Sequence, residues 1–249
     1  MRNHSRYITT PRDEKRKGSS TTKDFVTVVL FSENHGYRMK SYGPVSLIKI
    51  GGKTILEAQI DAIKACFLNF EIIVCSGFET QKTVNFIKEK FPEINIRVVE
   101  NQVHFNTNCC ESARLCLNNT SNDKILFCSG FNLIQPHHLK RLDLNASSII
   151  TQNQNEDLSF EINAITNDGI VEQLSLGLKI NYWTEVFYLS SESTIKTFYN
   201  ILSNPEYKNR FLFEALNDIS RKHPIKNIKV DIPVRKINNI KTFKRILET

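Results

Sequence analysis

Residues 25–56 read FVTVVLFSENHGYRMKSYGPVSLIKIGGKTIL, and the rest of the chain is read outward from them. Residues 26–31 form an unbroken apolar run rich in β-branched side chains, the pattern of a strand buried on both faces in a parallel sheet. A polar loop holding Gly36 and Arg38 follows. Thr54, with Glu57 three residues on, then gives a capping-box start to a helix that can pack Ile55, Ala58, Ala62, Ile63 and Ala65 on a sheet. Strand, loop and helix in this order place the loop at the carboxyl end of a buried strand, where open α/β sheets hold their ligands.

The alternation continues downstream. Segments 71–76, 96–99 and 124–134 read as further strands, and 80–91 and 109–118 as helices, which favours parallel pairing through right-handed crossovers. The following half is less regular. Strands are expected at 147–151, 159–166, 170–176 and 183–189, with a turn at Asn167-Asp168-Gly169. Helices are expected at 191–202, 211–221 and 240–247, and a late strand at 228–237 is broken by Pro233. Residues 1–24 have almost no apolar content, so a flexible basic arm precedes a single domain over 25–249.

At 249 residues with 40% hydrophobic and 24% charged residues, the chain can bury a sizeable core. No apolar run reaches the length of a membrane span, and the N-terminus lacks the apolar centre of a signal peptide, so a cytoplasmic protein in a reducing compartment is expected. The six cysteines show no metal-ligand spacing and read as buried free thiols. His137-His138 reads as a pair of surface histidines, because adjacent helical side chains diverge. The net charge of +7 divides into +4 over residues 1–24 (seven Lys/Arg, three Asp/Glu), −3 over 25–202 (fifteen, eighteen) and +6 over 203–249 (eleven, five). A basic arm and a basic C-terminal face suit an acidic partner, a nucleic acid or an anionic surface; a plainly solvated Lys-rich exterior is the alternative.

The loop residues in this order resemble the sugar-phosphate nucleotidyltransferases, in particular their cytidylyltransferase-like members. The matching pieces are Phe31 to Met39, Pro44-Val45-Ser46-Leu47, Gly52-Lys53-Thr54-Ile55-Leu56-Glu57, Ser76-Gly77-Phe78, and Asn101, Phe105, Thr107, Asn108 and Ser112 at family-like spacing. The resemblance covers residues 25–249 and implies a three-layer, mostly parallel α/β sheet, Rossmann-like and shared with GT-A glycosyltransferases. It implies a nucleotide site at Ser32, Gly36, Arg38, Asn108 and Ser112. It further implies transfer of a nucleotidyl group from a nucleoside triphosphate to a sugar phosphate or phosphocholine, with Mg²⁺ held by two aspartates.

Against that pattern the chain departs at the charged positions. Glu33 and Asn34 stand for a small residue and the first loop glycine; Val45 stands for the phosphate lysine. Phe131 and Asn238 stand for the two metal aspartates, leaving Arg38 as a vestige of the phosphate site. Asp123, Asp143, Glu161 and Asp231 lie near the expected regions, and Asp231 is the substitute ligand to watch. Arg38 on a plain surface, Asn108 as a helix cap, Ser112 facing the sheet and Phe131 as a plug are the structural readings of the same residues.

The leading expectation is therefore a degenerate, non-catalytic member acting as a binding or structural component of a larger protein assembly joined through residues 1–24. It needs no cofactor. An active transferase with Mg²⁺ and a nucleic-acid-binding protein are the alternatives.

Overall fold

In the computed structural model the described residues are 7–9, 25–153, 161–178 and 180–248. The apolar run at the start of the domain becomes β2 (Phe25–Ser32), whose residues from Val26 onward are all buried. Residues alternate between faces along a strand. Val29 and Phe31 therefore enter one apolar cluster, with Ala113, Phe187 and Leu216, and Val26, Val28 and Leu30 enter another, with Ile60, Ile63 and Val186.

Four strands form a parallel core: β6 (Ile96–Glu100), β5 (Asn69–Ser76), β2 and β7 (Lys124–Ser129), in that order. Helices α1 (Ile55–Cys66), α2 (Thr80–Lys90) and α3 (Cys109–Leu117) are the connections between them. The expected capping box opens α1: the Glu57 amide donates to Thr54 Oγ1 at 3.1 Å and the Thr54 amide to Glu57 Oε2 at 2.7 Å. The buried face of α1 is Ile55, Leu56, Gln59, Ile60, Ala62 and Ile63, whereas Ala65 is exposed and Ala58 only half-buried.

Beyond β7 the sheet changes character. Strand β12 (Tyr182–Ser190) runs antiparallel to β7 and also pairs with β9 (Ser148–Gln152). The hairpin of β10 (Ile162–Asn167) and β11 (Ile170–Leu176) joins β12 to β13 (Lys226–Val230), which lies parallel to β9. The pairings thus return to β12 and close a ring of five strands. The expected mostly parallel sheet is parallel only around β2 and between β9 and β13. One antiparallel pairing has a local cause: Asp168 and Gly169 take positive φ (47° and 76°), making the tight turn that returns β11 against β10.

Helices α5 (Glu192–Ser203) and α6 (Leu212–Ser220) cover the α3 side. The late strand divides at Pro233 into β13 and β14 (Arg235–Lys236); β14 leaves the main sheet to pair with β8 (Asn132–Leu133) just past β7. Helix α7 (Ile240–Leu247) closes the described chain.

Two further expectations need correction. Within the arm, Tyr7–Thr9 forms β1, antiparallel to β6 at the sheet edge; the rest of the arm lies outside the described residues. His138 is fully buried instead of exposed, because it caps the short helix α4 (Pro136–Leu139). Its Nδ1 accepts from the Gln135 amide at 3.0 Å, so Nε2 carries the hydrogen given to the Ile232 carbonyl at 2.9 Å. Burial lowers its pKa. All six cysteines are free thiols. Among the described residues no helix is long and apolar enough to cross a membrane.

Candidate functional site

The carboxyl ends of β2, β5, β6 and β7 meet where the strand order reverses around β2, the position at which a parallel sheet leaves a crevice. Gly130, just past β7, makes this close approach possible. Its amide donates to the Phe31 carbonyl at 2.7 Å, and a Cβ there would lie 2.3 Å from the same oxygen.

The pleat sends Ser32 and Glu33 to opposite sides. Ser32 hydrogen-bonds Ser46 on the α1 side. Glu33 turns to the α3 side, where it is 4% exposed and its Oε2 has no hydrogen-bond partner. Burial raises its pKa to about 7 despite relief from a backbone amide and Ser112, and Glu185 adds repulsion. Asn101, Thr107 and Ser112 do come together: Asn101 Nδ2 donates to Thr107 Oγ1 and Ser112 Oγ, both at 3.1 Å. Asn108 caps α3 by accepting from the Cys109 amide at 2.8 Å.

The loop after β2 is held from the far end of the chain. The Tyr37 amide donates to the Asn238 carbonyl at 2.8 Å, and Gly36 takes φ 74° beneath that carbonyl. Arg38 is exposed, with positive φ, and its guanidinium stacks on the Tyr37 ring at 5.0 Å. Val45, at the position expected of a phosphate lysine, is fully buried with Met39, Ile55, Ile237 and Phe243, and Phe131 packs against the same cluster. Phe131 is thus a plug.

One charged group was not anticipated. Lys236 on β14 donates to Glu185 Oε1 at 2.6 Å and Glu161 Oε2 at 3.2 Å. Burial opposes the ammonium, but Glu185, Tyr182 and Glu161 outweigh it and hold its pKa above the usual lysine range. Tyr182 is buried beside them with an unpartnered hydroxyl, and burial raises its pKa as well. Glu185 sits at φ 60° inside the β-bulge of β12, a conformation that costs free energy in a non-glycine residue. A lone Glu inside YWTEVFYL was the available signal, since charges are rare on buried strands.

Of the four carboxylates considered as substitutes, only Glu161 reaches this group, 3.5 Å from Asn238 Nδ2. Asp231 is exposed at the end of β13 and paired with Arg141 at 3.5 Å. Asp143 is paired with Lys226 at the surface, and Asp123 is exposed before the opposite end of β7.

Mg²⁺ requires hard, charged oxygen donors. Here the two expected positions offer an aromatic ring and the Asn238 amide, whose Oδ1 already accepts from Asn239 at 2.8 Å, while Lys236 occupies the nearest carboxylates. Among the described residues no group of three or more His, Cys, Asp or Glu is placed to hold a metal. This donor set does not fit the ion.

No family model and no curated protein matches the sequence. Solved structures do match. The CTP:phosphocholine cytidylyltransferase of Streptococcus pneumoniae superposes with a TM-score of 0.76 at 16% identity, over 90% of this chain and 98% of that one. The inositol-1-phosphate CTP transferase of T. maritima gives 0.72 at 14% identity, over 89% and 94%. A UDP-glucose pyrophosphorylase gives 0.71 at 10% identity, over 90% and 97%. The chain has the nucleotidyltransferase fold that its loop motifs resemble.

Proposed function

We propose that this chain keeps the nucleotidyltransferase fold without its metal-dependent chemistry, and acts as a binding or structural component of a larger protein assembly. The observation that supports this most is the fate of three charged positions. Val45 and Phe131 belong to an apolar cluster, and Asn238 is committed to Glu161, Asn239 and the loop at Tyr37. Nucleotidyl transfer depends on fixed charge facing a polyphosphate, each preorganised group being worth about 3 kcal/mol of transition-state stabilisation. Three such groups are replaced here, and the nearby carboxylates Glu161 and Glu185 are taken up by Lys236.

The test is pyrophosphate release from CTP, UTP, dTTP or ATP with Mg²⁺, in the presence of phosphocholine, inositol 1-phosphate or glucose 1-phosphate. The expected outcome is no product above the protein-free blank. Turnover with any of these pairs, abolished by EDTA, would overturn the proposal in favour of an active transferase with displaced ligands.

A further inference from the structure

We propose that the outer surfaces of the loop after β2 and of helix α7 together form a binding face for single-stranded nucleic acid. Two stretches distant in sequence, 34–56 and 232–247, contain no Asp or Glu. The fold joins them through the Tyr37–Asn238 hydrogen bond and an edge contact of 5.2 Å between the Tyr42 and Phe243 rings. Met39, Val45, Ile237 and Phe243 share the core beneath.

The outer surface of this joint is cationic. Arg38 and Lys40 project from the loop, and Lys241, Lys244 and Arg245 from α7; all five are exposed and none has a carboxylate partner among the described residues. Tyr37 is 67% exposed with Arg38 stacked on it, and Tyr42 is 48% exposed. Cations flanking open aromatic rings are what a single strand requires: the charges follow phosphates and the rings stack on bases. An acidic peptide would engage only the charges. An anionic membrane calls for a free apolar helix face, and α7 has already buried Phe243, with Ile240 and Ile246 packed against the same core.

The experiment uses the full chain and fluorescence anisotropy with labelled oligo-U and oligo-dT, a duplex of the same length, polyglutamate as competitor, and vesicles of phosphatidylcholine and phosphatidylserine. Micromolar binding to a single strand is expected at low salt. With five phosphate contacts it should weaken about a hundredfold as salt rises from about 50 to about 200 mM. Lys244→Glu with Arg245→Glu, and separately Tyr37→Ala, should each weaken binding about tenfold or more while the melting temperature stays at the wild-type value. Preference between oligo-U and oligo-dT decides RNA or DNA, and either supports the face. Binding untouched by both variants would place the contact elsewhere and overturn the proposal. So would polyglutamate competing as well as the oligonucleotide, tighter binding to duplex or vesicles, or no binding at low salt.

Discussion

Glu33 carries the most information of any single residue here, because it is a carboxyl group placed where ionisation is costly. In the folded state its pKa is about 7, against 4.5 for an unperturbed glutamate, with burial as the main cause. Between those values the native chain holds a proton that the unfolded chain has released. The contribution of this group is therefore fully present below pH 4.5 and lost as pH rises through 7. The shift corresponds to about 3 kcal/mol. Glu33→Gln, which stays neutral, should flatten the fall in melting temperature from pH 5 to pH 8 and be the more stable protein at pH 8. Thermal scans across that range check this, and parallel profiles for the two proteins would count against it. Glu33 was legible in the sequence as an intrusion into a glycine loop, since a carboxylate is conspicuous there. Glu185 stood out as a lone charge in YWTEVFYL, but its pairing with the cation Lys236 did not. They lie far apart in the chain and meet only because β12 bulges and β14 leaves the main sheet to pair past β7.

The elements around β2 were readable because each has a strong local cause. The apolar run, the Thr54–Glu57 capping box and the Asn167-Asp168-Gly169 turn all appear where the residues dictate. Strand β1 was not readable, since three residues in a polar arm become a strand only when the edge of β6 offers backbone partners. The ring closed by β12, β9 and β13 was hidden for the same reason: pairing between distant strands leaves no periodic mark. How tightly the central elements are joined is testable at Gly130. A methyl group there would lie 2.3 Å from the Phe31 carbonyl oxygen and 3.2 Å from Ser32 Cα, and backbone cannot rotate away as a side chain can. Gly130→Ala should therefore force β7 and β2 apart at the mouth of the crevice. Overpacking of this kind costs about 3 kcal/mol. A lower urea midpoint with an unchanged slope is expected. A midpoint equal to wild type would mean that the two strand ends separate freely.

At the scale of the whole molecule, the parallel and antiparallel halves share their cores, which bears on whether residues 25–249 act as one unit. One apolar cluster combines Val29, Ile73 and Phe127 from the parallel half with Phe187, Phe198 and Leu216 from the other; the second combines Val28, Leu56 and Ile72 with Val186, Tyr188 and Val230. The Phe127 and Phe187 rings stack at 4.4 Å across the junction of β7 and β12. Neither half can unfold without exposing apolar surface of the other, so cooperativity should extend through both. Trp183, the single tryptophan, lies on β12 in the antiparallel half and gives that half its own signal. Far-ultraviolet circular dichroism follows the helices and strands of both. In urea, Trp183 fluorescence and circular dichroism should trace one transition with a common midpoint. A fluorescence midpoint at clearly lower urea would show that the five-stranded ring melts alone, and the chain would then have to be read as two domains.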